Sequence, residues 1–103
     1  MNYINLGVAA YASSFGNNEK RLDEWCRKFE SFHLRDEIIS LVRKIEDDIL
    51  NEILNGDKSY EGKELEIIVR TACNARDARI EKEGMAAILD HVAWMCWHEG
   101  HLK

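Results

Sequence analysis

Proline is absent from the 103 residues of the chain, and its six glycines are dispersed. Proline breaks helix interiors and glycine marks helix ends, so their scarcity favours long helices. A chain of this length fits one domain and can bury a modest core without staples. The composition therefore predicts an all-α protein, a compact single helical domain over residues 1–103 built as a bundle of four to five helices.

Long uninterrupted apolar runs are also missing. The most apolar stretch, residues 85–98, is broken by Asp90, His91 and His98. A membrane-spanning helix needs about 20 apolar residues, so we expect no membrane contact. An apolar helix inside a soluble chain has to be enclosed by other elements. We therefore expect this C-terminal helix to be the centre of the bundle.

Cysteine is scarce, odd in number and never arranged as CxxC: the three are Cys26, Cys73 and Cys96. Each lies in an apolar helical context, which indicates reduced, buried thiols. Reduced thiols are typical of cytoplasmic proteins. Residues 1–12 lack the basic region of a secretory leader, and we expect the protein to stay in the cytoplasm.

The chain has no excess of basic residues: acidic residues outnumber them, and the net charge is −5. The imbalance lies in residues 45–66, where eight acidic residues face two lysines, a net charge of −6. A field of this sign repels phosphate backbones and attracts basic surfaces. The sequence therefore argues against direct nucleic-acid binding and favours a basic protein partner.

Motifs of strong chemical specificity are lacking as well. The sequence contains no glycine-rich phosphate loop and no nucleophile paired with a base, so we predict no catalytic site and no cofactor. Glu30 and His33 form one Glu-x-x-His pair, whereas di-iron bundles need two. The loop at Asp57 fails as an EF-hand, because position twelve is Ile68 instead of glutamate.

The C-terminal histidines provide the alternative hypothesis. His91, His98 and His101 share one face of the last helix if that helix continues past Gly100. Such a face could hold a metal ion or serve an enzymatic site, although it lacks the i,i+4 histidine pair of the HExxH motif. The structural explanation is that histidine and tryptophan here form the side of the helix that meets solvent.

Hydrophobic periodicity predicts where the helices lie. Their expected ranges are 2–13, 18–32, 35–54, 63–83 and a last helix between Gly84 and Gly100. Phe32 is expected on the buried face of the second helix, and Asn17 or Asn18 as its N-cap. The run 64–69 is rich in residues that favour sheets and could instead be a strand, but its helix-like continuation favours helix.

The acidic segment leads to the functional prediction. We expect a small acidic protein-binding domain that docks an acidic face on a basic, nucleic-acid-handling partner such as a nuclease. Docking would inhibit that partner stoichiometrically. Immunity proteins, antitoxins and phage anti-defence proteins are of this general kind. Carboxylates would take the place of phosphates and an aromatic side chain would anchor the interface. The predicted partner-binding residues are Glu46, Asp47, Asp48, Glu52, Asp57, Tyr60 and Glu61.

Two further expectations concern individual contacts. Pairing of Arg43 and Lys44 with Asp47 and Asp48 would leave Glu46 and Glu52 free for a partner. Trp94 and Trp97 are too bulky for both to be buried in a short bundle, so a homodimer seam on the last helix is a third hypothesis.

Overall fold

The computed structural model describes residues 2–13, 16–54 and 58–100. Within these ranges the chain forms five α-helices and one 3₁₀ turn, which confirms the predicted all-α bundle. The helices are α1 (Tyr3–Ala12), α2 (Asn18–Phe29), α3 (Arg35–Leu54), α4 (Gly62–Arg76) and α5 (Lys82–His98), with the 3₁₀ turn at Phe32–Leu34. The run 64–69 is therefore helical.

The helix α3 supplies the longest buried stripe. Its inward residues recur every three or four positions, as one face of a helix requires: they are Ile38, Ile39, Val42, Ile45, Ile49 and Ile53. Residues of the other four helices pack on this stripe to form one core cluster. The β-branched side chains fill the core with few rotamers to lose on folding.

Close approach of α1 to α3 depends on Gly7. A Cβ atom at this position would collide with Cδ1 of Ile38 and lie 3.2 Å from the ring of Trp25. Tyr3, Trp25 and Phe29 extend this contact as an aromatic cluster, with ring centroids 5.5 to 6.1 Å apart. Gly7 thus allows α1 to pack closely against α2 and α3.

The helix α5 packs against α1, α3 and α4. Its buried residues lie on one side, whereas Trp94 is 46% exposed and Trp97 is 67% exposed on the other. The prediction that other elements enclose α5 on all sides is therefore not confirmed. Four apolar residues carry its packing: Ala87, Ile88, Val92 and Cys96.

Two predicted helix ends were wrong. The helix α2 stops at Phe29, where Glu30 takes a left-handed backbone (φ 52°), and Phe32 is consequently 51% exposed in the 3₁₀ turn. The helix α4 stops at Arg76 instead of continuing to residue 83. Gly84 does not separate two helices but lies inside the first turn of α5.

Candidate protein-binding surface

The acidic residues of α3 point in different directions around the helix. Successive residues of an α-helix are rotated by about 100°, so Glu46 and Asp48 lie on opposite flanks with Asp47 between them, facing outward. Glu46 meets α5, and Asp48 meets α4. The sequence-predicted acidic residues therefore do not form one contiguous patch on α3.

Glu46 is not available to a partner. It is only 9% exposed, and its Oε2 contacts Nδ1 of His91 on α5. A carboxylate removed from water requires such a partner, because an unpaired buried charge is strongly destabilising. The expectation that Glu46 is free was wrong, and its role here is to join α3 to α5.

Asp48 makes a two-pronged ion pair with Arg76 of α4. The two carboxylate oxygens lie 2.6 Å from Nε and 3.0 Å from Nη2 of the guanidinium. Arg76 lowers the pKa of Asp48, and Asp48 in turn raises the pKa of Arg76. The predicted pairings within α3 are not the ones observed, since Arg43 contacts Glu19 of α2 at 3.7 Å.

A groove of about 420 Å³ separates α3 from α4. Glu52 and Asp48 form its acidic wall, and Ile67, which is 61% exposed, lies on the other wall. The remaining lining residues are small or apolar: Ile68, Thr71, Ala72 and Ala75. Because Asp48 is paired with Arg76, it is Glu52 that adds negative charge beside the exposed isoleucine of this groove.

The connection from α3 to α4 contributes less than the sequence suggested. Asp57 lies outside the described residues. Tyr60 is half-buried against the core, and Nζ of Lys58 lies 4.7 Å from the centre of its ring. Lys58 also contacts Oε2 of Glu64 at 2.8 Å, a contact that raises the pKa of the lysine. Only the solvent-exposed part of the Tyr60 side chain can therefore contact a partner.

Glu61 is exposed at the start of α4. Its backbone N–H donates to Oε1 of Glu64 at 3.3 Å, a contact typical of a capping box. Ile67 was not predicted from the sequence to be a surface residue. The available signal was its spacing, since Ile67 falls between the inward positions Leu65 and Val69 and so belongs to another face.

His91 and His98, the two histidines of the alternative hypothesis within the described residues, have different partners. His91 contacts Glu46, and His98 stacks on Trp94 with ring centroids 5.4 Å apart. His101 lies outside the described residues. Across the part of the chain that the structure describes, no three His, Cys, Asp or Glu side chains lie together as a metal site requires.

In residues 2–13, 16–54 and 58–100, no helix combines the length and the hydropathy needed to cross a membrane. The three thiols are unpaired and buried, and burial raises the pKa of Cys73 to about 11. Comparison of the chain with family models, with curated proteins and with solved structures finds no match in any of the three.

Proposed function

We propose that the chain is a small acidic domain that binds a basic, nucleic-acid-handling protein and inhibits it stoichiometrically. The groove between α3 and α4 is the proposed contact surface. The observation that carries the proposal is the exposed Ile67 opposite Glu52 and Asp48, two carboxylates of the segment 45–66 that holds the excess negative charge.

Charge and apolar contact have different tasks in this mechanism. The negative field of residues 45–66 steers a basic surface toward the domain and speeds association. Ile67 then enters the partner's surface, where burial of its 61% exposed side chain contributes about 1–2 kcal/mol. Glu52 and Asp47 occupy positions that phosphates would take on the partner, so nucleic acid and the domain compete.

The state of the cysteines supports a cytoplasmic location for this activity. Cys26, Cys73 and Cys96 are all unpaired and buried in the core. Proteins that fold in oxidising compartments commonly use cysteines in disulfides, whereas reducing compartments keep them as thiols. A partner that handles nucleic acid would meet the domain in the same compartment.

The test begins with a photo-crosslinking amino acid at position 67, placed in the chain expressed in its own host. Mass spectrometry of the crosslinked product identifies the partner, and native mass spectrometry gives the stoichiometry. We expect a basic protein in a 1:1 complex. Titration of the purified chain should displace nucleic acid from that protein.

Charge-reversed variants then test the surface. Glu52→Lys and Asp47→Lys should each weaken binding by about tenfold or more at low salt, since like charges replace opposite ones. Glu24→Lys on α2 changes the net charge equally but lies on another helix, and should leave the affinity within about twofold. Equal losses in all three variants, or an affinity insensitive to salt, would contradict the proposed surface.

A further inference from the structure

The outward face of α5 carries two exposed indoles. Trp97 is the most exposed large apolar side chain in the described residues, and Trp94 lies one turn before it. The ring of Trp94 stacks nearly parallel to the ring of His98, with an interplanar angle of 10°. This stack restricts the orientation of Trp94, and Trp97 adds a second large apolar group to the same face.

A second groove, of about 430 Å³, runs between α4 and α5 at the other end of the same helix. Its apolar lining consists of Val69, Met85, Ala86 and Leu89. Its rim carries Lys82 and the ion pair of Arg70 with Glu66, which are 2.9 Å apart. The small side chain of Ala86 leaves room for a large apolar group.

We propose that Trp97 of one copy occupies this groove in a second copy of the chain, forming a two-fold symmetric dimer through antiparallel α5 helices. Ala86 and Trp97 are eleven positions apart, or about 16 Å along a helix. Two antiparallel α5 helices crossing midway between these residues place each Trp97 opposite the other copy's Ala86. The same register sets Trp94 opposite Leu89, and every contact occurs twice.

The charges at the two ends of α5 suit this arrangement. Lys82 is the first residue of the helix and Glu99 is the exposed residue that follows it. Antiparallel pairing brings Lys82 of each copy within about one turn of Glu99 of the other. The helix dipoles also oppose one another in this pairing, which is the favourable orientation.

The buried area indicates a weak dimer. Taking about 250 Å² for a whole Trp side chain, the exposed parts of Trp94 and Trp97 amount to about 280 Å² per copy. Similar areas on the two grooves bring the total to about 1,100 Å², the low end for a specific interface. Each Asp90 also approaches its symmetry mate, so we expect a dissociation constant of about 10–100 µM.

Sedimentation equilibrium of the full chain between about 2 and 500 µM tests the proposal. We expect a monomer–dimer equilibrium whose dissociation constant rises at least tenfold in Trp97→Ala and in Ala86→Arg. Both positions are exposed, so each variant should fold, as circular dichroism will verify. Ile67→Ala removes an exposed apolar residue from the other groove and should leave the dimer intact. A chain that stays monomeric throughout, or a dimer that survives both variants, overturns the proposal.

A crosslinking experiment tests the register. A short bismaleimide is added to an equimolar mixture of the Ala86→Cys and Trp97→Cys chains, and to each chain alone; the native thiols are buried. The expected product joins one chain of each kind. Crosslinking of Ala86→Cys chains to themselves would contradict the register, because those positions would lie about 16 Å apart.

The dimer and the proposed inhibitor surface use opposite flanks of α4, so the two proposals can be tested independently. Loss of the dimer in Trp97→Ala would leave Glu52 and Ile67 untouched. Loss of partner binding in Glu52→Lys would leave the α5 seam untouched.

Discussion

Asn5→Ala should destabilise the whole bundle, because the first turn of α5 receives its capping oxygen from α1. Oδ1 of Asn5 accepts the backbone N–H of Glu81 at 2.8 Å and that of Gly84 at 2.9 Å. The side-chain Nδ2 donates to Oε2 of Glu83 at 2.8 Å. Glu81, the N-cap residue, makes no side-chain capping bond of its own, so the cap comes from another helix.

The size of the effect follows from which groups lose their partners. The Gly84 bond is buried, so its orphaned N–H would cost about 1–3 kcal/mol. The Glu81 N–H is only partly buried and can turn to water, which limits its loss to about 0.5–1.5 kcal/mol. Together the loss is about 2–4 kcal/mol, from a total stability of about 5–15 kcal/mol for a chain of this size. The expected fall in Tm is about 10–25 °C.

Urea and thermal unfolding, followed by circular dichroism at 222 nm, would measure this loss. Asn17→Ala is the matched control, because Asn17 is the N-cap of α2 and makes no side-chain capping bond; it should change stability by less than about 0.5 kcal/mol. Asn5→Asp keeps the acceptor oxygens but sets a carboxylate beside Glu83. Its loss of stability should therefore lie between the losses in Asn17→Ala and Asn5→Ala. If Asn5→Ala were as mild as Asn17→Ala, the capping explanation would be refuted.

Two further predictions concern packing and pH. Gly7→Ala should destabilise by about 1–3 kcal/mol, since its methyl group meets the fully buried Ile38, whereas Gly62→Ala, which has open space, should be neutral or stabilising in urea unfolding. Arg76 lowers the folded-state pKa of Asp48, so that pair stabilises fully above the ordinary pKa of 3.8. The stability advantage of the wild type over Asp48→Asn should therefore be constant above about pH 5 and shrink as the pH falls below 3.8; an advantage that persists at lower pH would contradict it.

The helix α3 was the most predictable element. Its predicted range, 35–54, is the observed one, because a single stripe of β-branched residues has only one way to face a core. The bundle class followed from the same periodicity in α2 and α4. These features depend on the pattern of each helix taken alone.

The break between α4 and α5 was not predictable from periodicity. Oδ1 of Asp77 accepts the backbone N–H of Arg79 at 2.9 Å, a local bond that competes with helix continuation. Gly84 was expected to end a helix, yet its buried position reflects contact with α1: a Cβ there would lie 2.8 Å from Oδ1 of Asn5. Glycine marks close approach as readily as it marks a break, and only the tertiary contact distinguishes the two.

The candidate surface was less predictable than the fold, for a related reason. Counting charges along residues 45–66 identifies a negative segment but not the helix that each carboxylate meets. Glu46 turned inward to His91, and Asp48 turned to Arg76. Which flank of α3 faces α4 or α5 depends on contacts far apart in sequence.

These contacts change the salt dependence that is expected of the proposed interaction. Of the eight acidic residues in 45–66, Asp48, Glu64 and Glu66 are held in ion pairs with arginine or lysine, and Glu46 is buried against the ring of His91. Asp57 is not described, and within the described residues the remaining three are Asp47, Glu52 and Glu61. Surface pairs are largely neutral at a distance, so the steering field comes from about half the charge that the sequence suggests. The salt dependence of partner binding should therefore correspond to about three or four charges, and a slope matching all eight would mean that the partner breaks the Asp48–Arg76 bridge.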